Sequence, residues 1–175
     1  VPMINAVQIS GTIEEKELLF NSMLKYKAFE NIPSNKRGHK PGEMERLVDQ
    51  AVRMSTNVKN RQTRVQDSGI EFLEGMIEKD NLLNNKVLLF LLEPGHVDKN
   101  IAGLIANKFM AKYQRPCCIL TDTGNSYAGS ARGYDKSGVT NFKDICSNTK
   151  VIDYAEGHQG AFGLSIPKES IESFI

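Results

Sequence analysis

Residues 86–122 read KVLLFLLEPGHVDKNIAGLIANKFMAKYQRPCCILTD, and their rhythm changes twice. KVLLFLLE is an unbroken apolar run of strand length, too short to be a helix and too apolar to have a solvent face, which is how a strand covered on both sides reads. From Asn100 to Tyr113 the apolar residues recur at helical spacing, and CCILTD then supplies a second apolar strand. Strand, helix and strand in this order predict a β-α-β unit, and so an α/β domain.

Downstream, SYAGSARGY (Ser126 to Tyr134) is strand-like, Asn141 to Cys146 predicts a short helix, and VIDYA and FGLSI predict two more strands. Pro167 then opens a closing helix, since its fixed φ suits a first helical turn. Seven of the fourteen glycines fall between Gly124 and Gly163, so loops in this part can approach a ligand closely. Upstream, an extended start leads to Thr12 and Glu15, a capping-box pair that predicts a helix over Ile13 to Tyr26. NIPSNKRGHKPG, Asn31 to Gly42, reads as an exposed loop whose His39 is solvated. From Glu43 to about Lys79 one long helix is expected, with Gly69 as its candidate break. Its middle, NVKNRQTRVQD, is too polar to be buried all round and suits a helix joining two lobes. The expected architecture is therefore α/β: residues 1–42, then a long connecting helix over 43–84, then a compact domain over 85–175 with a mixed β-sheet flanked by helices.

Composition narrows the function classes. With 175 residues, 40% hydrophobic and 25% charged, the chain is long enough for one good core, and no apolar run approaches a bilayer span. The N-terminus, VPMINAVQIS, has no signal-peptide pattern and reads as a cut end inside a longer polypeptide. Three cysteines, two of them adjacent in an apolar run, make neither a disulfide framework nor a zinc site, which fits a reducing cytoplasm. Net charge is only +1, yet Lys36 to Arg64 holds eight basic residues against three acidic ones. That local excess is either a phosphate path or a solvated helix face.

Two short stretches carry candidate chemistry. In GSARGY the Arg132 guanidinium can present a planar fork to a phosphate, with the Ser130 hydroxyl and the backbone beside Gly129 adding donors; the bland alternative is a surface strand with one charge. In YAEGHQGAFGLSIP, His158 follows Gly157, and is either a turn cap or a phosphate donor reached across a small-residue loop. Walker, dinucleotide-binding and zinc-protease motifs are absent, and Asp122, Asp135 and Asp153 are too scattered to predict a metal centre in this chain. A nucleophile built from Cys117 or Cys146 with His158 is disfavoured, because cysteines in apolar strands are inert core residues.

The order PMINA, a helix with an N-x-x-N-R core, LEPGHVDKNIAGLIANKFMAKYQRPCCIL, GSARG and EGHQGAFGLSIP resembles the C-terminal part of RecJ-type single-strand-specific exonucleases of the DHH phosphoesterase superfamily. The resemblance covers essentially the whole chain. It implies that 1–42 is the end of a catalytic domain and that 85–175 is the associated substrate-binding domain. Arg132 with Ser130 and Gly129 then match the arginine motif that holds a substrate phosphate. His158 with Gly157 matches the glycine-histidine motif, with His158 acting catalytically near the scissile bond, and Asn5 matches the asparagine closing the catalytic domain. Also implied are Mn²⁺ or Mg²⁺ bound by an N-terminal catalytic domain upstream of Val1, with none held by this chain, and single-stranded DNA or RNA as partner in DNA repair or recombination. Four positions depart from the pattern: Glu156 replaces a glycine, Phe162 an alanine, Met3 an arginine, and Ile9 stands where an arginine commonly follows. A carboxylate at Glu156 repels a neighbouring phosphate, so it bears on substrate preference. The other readings left open are a related phosphoesterase of short oligoribonucleotides or cyclic dinucleotides, and a non-catalytic nucleic-acid-binding module.

Overall fold

A computed structural model describes residues 2–175, which divide into two compact units, 2–65 and 66–175. The first unit begins with helix α1, Pro2–Ser10, where an extended start was expected. Pro2 suits a helix opening, and the helix forms because Ala6 and Val7 pack into a small core with Leu19 and Val58. Helix α2, Ile13–Ser22, starts on the predicted capping box: Thr12 N donates to Glu15 Oε2 at 2.8 Å and Glu15 N to Thr12 Oγ1 at 3.3 Å. It ends earlier than the predicted Tyr26.

The stretch expected to be all loop starts with strand β1, Asn31–Pro33, which pairs antiparallel with β2, Met44–Arg46. The long helix, α3, Leu47–Lys79, therefore begins after β2 rather than at Glu43. Its first amides are satisfied by the preceding chain, Leu47 N donating to Glu30 O and Val48 N to Ala28 O, each at 2.9 Å. The helix runs unbroken through Gly69. A Cβ there would lie 2.8 Å from Ile105 Cδ1, so this glycine serves close packing and not a kink. Buried positions Leu47, Ala51, Ser55, Val58, Gln62, Gln66, Gly69, Leu73 and Ile77 keep a three-four spacing along α3. Four of them are Ser, Gln or Gly, which is why the apolar pattern fades in mid-helix. The division between the compact units falls inside α3, between Val65 and Gln66.

The second unit contains the predicted β-α-β. Strand β3, Leu88–Leu92, pairs in parallel with β4, Cys117–Asp122, and the connection is helix α4, Lys99–Tyr113. Asp98 caps α4 by accepting from Asn100 N at 2.8 Å, and Gln114 closes it in the left-handed conformation at φ 53°. Strands β5, Ser126–Arg132, β6, Tyr154–His158, and β7, Ala161–Pro167, complete a five-stranded sheet of order β3-β4-β5-β7-β6, antiparallel from β4 onward. The expected strand VIDYA starts only at Tyr154. Helices α5, Phe142–Asn148, and α6, Ile171–Phe174, follow β5 and β7, the second after a 3₁₀ turn at Lys168–Ser170. The α/β class with a mixed, helix-flanked sheet is the observed one. Cys118, Leu120, Ala131, Phe142, Phe162, Leu164 and Ile166 form the core on one sheet face. Ile101, Ile105 and Phe109 of α4 are buried as well. Among the described residues no helix is long and apolar enough to cross a membrane.

Candidate functional site

Strand register assembles the site. Arg132 on β5 stands opposite Ala161 on β7, and Ala161 stands opposite His158 on β6. Two strand spacings of about 4.8 Å separate the Arg132 and His158 backbones, about 10 Å in all. Ser130, Gly163 and Glu156 make the next row on the same sheet face. Two residues distant in sequence thus fall into one cross-strand row with an alanine between them.

Ser130 and Arg132 lie on the α4 side of the sheet. A Cβ on Gly103 of α4 would meet Arg132 Nη2 at 2.5 Å and Ser130 Oγ at 3.2 Å. Gly103 is therefore what lets the guanidinium lie between helix and strand. There Arg132 Nη1 donates to Ala131 O at 2.7 Å, and burial lowers the guanidinium pKa from its ordinary value. Among the described residues no carboxylate comes within ion-pair distance of it. A half-buried guanidinium without a carboxylate is a candidate anion-binding group.

Gly157 and His158 are exposed at the end of edge strand β6, before the Gln159–Gly160 turn. Gly157 has φ +132°, and a Cβ there would lie 2.7 Å from Ala161 O, so only glycine fits. Helix α5 grips this tip: Lys143 Nζ donates to Gly157 O at 3.0 Å and Gln159 Nε2 to Asp144 Oδ1 at 2.9 Å. Lys143 puts a further cation next to the glycine-histidine pair. Sequence reasoning missed both Lys143 and Gly103, because each acts through a strand distant in sequence and neither sits in a motif. Gly129 has a packing reason of its own, since a Cβ would lie 2.0 Å from Ile119 O of β4. Asn5 lies exposed on α1 in the other unit.

The cysteines are core residues. Burial pushes the Cys117 thiol up to about 12 and Cys146 to about 11, and raises Cys118 as well, so none is a ready thiolate. Among the described residues no group of three or more His, Cys, Asp or Glu could hold a metal ion.

No protein-family model matches the chain. It is 32% identical over 174 residues, 97% of its length, to YorK of Bacillus subtilis (strain 168), named as an SPbeta prophage-derived single-strand DNA-specific exonuclease, and equally so to the YorK protein of Bacillus phage SPbeta. The chain spans 30% of the length of these relatives. Among solved structures, RecJ of Thermus thermophilus in complex with Mg²⁺ aligns over 99% of this chain and 23% of its own, at 17% identity and a TM-score of 0.56. An exonuclease RecJ bound to manganese aligns over 99% of this chain and 37% of its own, at 15% identity and a TM-score of 0.61. Over nearly its whole length, then, this chain is similar in sequence to a part of YorK and in fold to a part of RecJ.

Proposed function

We propose that this chain is the substrate-binding portion of a single-strand DNA-specific exonuclease, with residues 85–175 as the substrate-binding domain and 1–42 as the end of a catalytic domain. The carrying observation is the cross-strand row Arg132, Ala161, His158, with Arg132 desolvated and free of any carboxylate among the described residues. Arg132 presents its fork to the non-bridging oxygens of a phosphate, Ser130 adds a hydroxyl donor, and Ala161 leaves room above the strand between them. His158 donates to the charge that develops on the phosphoryl group, and Gly157 lets the backbone come close. Lys143 holds that tip through the Gly157 carbonyl. The divalent metal of the whole protein would be held by residues outside this chain, and Asn5 belongs to the segment leading from them.

Titration of single-stranded DNA against this chain and its Arg132→Ala variant, over a range of salt, tests the reading. Losing one phosphate contact weakens binding and makes the log–log salt slope shallower by about 0.7 on a single strand. An unchanged slope removes Arg132 from the phosphate site. With Mn²⁺ added, the chain should bind without cutting, and appreciable metal-dependent hydrolysis would overturn the assignment of the metal to another segment.

A further inference from the structure

The edge strand that carries His158 carries a second exposed group. Tyr154 opens β6, opposite Ser165, and keeps 43% of its surface accessible. Its ring has a defined place: Tyr154 Cε2 lies 3.8 Å from where a Cβ on Gly163 would be. Gly163 is paired with Ser130, whose hydroxyl faces Gly103 of α4. The Tyr154 ring is therefore on the same sheet face as Ser130 and Arg132. The strand beneath it is pinned as well. Asp153 N donates to Ser165 O at 2.9 Å, and Asp153 Oδ2 accepts from Ser126 Oγ at 2.9 Å and Ser165 Oγ at 2.7 Å.

We propose that Tyr154 is a stacking platform for a nucleobase of the single strand whose phosphate is held by Arg132 and His158. The inference rests on the phosphate-binding reading above. Four residue steps along β6 take the strand from Tyr154 to His158, about 13 Å, which is a span of a few nucleotides. Glu156 stands between them, opposite Gly163. Its carboxylate repels a phosphate there and accepts a hydrogen bond from a base amino group or a sugar hydroxyl. The charges therefore place phosphate at the His158 end and base at the Tyr154 end. Stacking on one ring face is indifferent to base identity, which suits an enzyme that reads any single strand. A tyrosine that merely covers the edge glycine is the structural alternative, and it predicts a different result.

The chain has no tryptophan, which makes the test direct. A thymidine oligomer and an abasic oligomer of equal length carry the same phosphates and differ only in bases. Tyr154→Leu, which still covers Gly163, should weaken thymidine-oligomer binding about 10-fold while leaving abasic binding and the salt slope unchanged, and Tyr154→Phe should bind as the parent does. Tyr154→Trp supplies a sole indole whose fluorescence should be quenched by the thymidine oligomer and not by the abasic one. Equal losses on both oligomers, or no loss on either, overturn the platform. Arg132→Ala separates the two readings: it should weaken both oligomers alike. If it weakens neither while the Tyr154 variants behave as expected, the phosphate reading fails and stacking stands. Absence of binding to both oligomers by the parent chain overturns both.

Discussion

In residues 2–65, Glu45, Asp49 and Glu15 each hold an arginine, whereas in residues 66–175 Arg132 lies half-buried without a carboxylate among the described residues. The basic stretch from Lys36 to Arg64 was the more conspicuous in sequence. Much of it is spent internally: Arg53 and Lys36 on Glu45, Arg46 on Asp49, Arg61 on Glu15. A cation already paired gains little from an arriving phosphate, because it must first give up its partner. Site finding therefore depends on which cations lack carboxylates and not on how densely cations cluster.

The contrast can be broken most severely at Gly129. Arg132 stands on β5, which is held in place between β4 and β7, and at Gly129 the β4 backbone leaves no room for a Cβ. Gly129→Ala puts a methyl 2.0 Å from a backbone oxygen that cannot swing away. It should destabilise the fold by about 3 kcal/mol, the upper end of overpacking costs. Chemical denaturation checks this, with hydrogen exchange at β5 amides locating the damage. Parent-like stability would mean that β4 yields at no cost.

Glu45 is next, and there the expected loss is of stability without loss of binding. Arg53 donates to both of its oxygens, at 2.7 and 2.6 Å, and Gln50 Nε2 and Asn35 N add 2.9 and 3.3 Å bonds. The Arg53 hydrogen bonds first, then those of Gln50 and Asn35, hold its pKa far below the usual carboxylate range, against the opposing effect of burial. Because the folded pKa lies below the unfolded one, this stabilisation is complete above the unfolded value, about 4.3, and drains away as pH falls toward the folded value. Glu45→Gln should lower the melting temperature at pH 7, narrow the gap to the parent below about pH 4, and leave DNA affinity unchanged. A fall in DNA affinity at constant stability would place this network in the binding surface instead.

How much of this was legible in sequence follows from what each signal measures. The β-α-β unit was readable because strands buried on both faces and an amphipathic helix leave periodic signatures that tertiary context does not alter. Helix α1 was not, since nine residues with two buried apolar side chains form a helix only by packing on Leu19 and Val58. The β1–β2 pair escaped notice because three-residue strands are too short to alternate. At the site, Arg132 and His158 were readable as residue types beside glycines. Their alignment through Ala161 was not, because pairing register is a property of three strands together. Gly103 shows the same limit in its sharpest form.

Inside α4, a glycine in mid-helix is a local defect, costing about 0.5–1 kcal/mol relative to alanine. Its compensation lies on another strand, in the space it leaves for the Arg132 guanidinium and the Ser130 hydroxyl. Gly103→Ala should therefore separate folding from binding. The methyl would meet the end of a flexible side chain, which can move aside, while the helix gains propensity, so the two effects nearly offset and the melting temperature should stay within a few degrees of the parent. Arg132 would be displaced from its slot, so single-stranded DNA affinity should fall several-fold and the salt slope become shallower, in the direction of Arg132→Ala. Combining the two substitutions should add little to Arg132→Ala alone, because both act on one contact. A strongly additive double variant, or a lower melting temperature with unchanged affinity, would mean that Gly103 serves only helix-to-sheet packing and that the guanidinium does its binding from some other position.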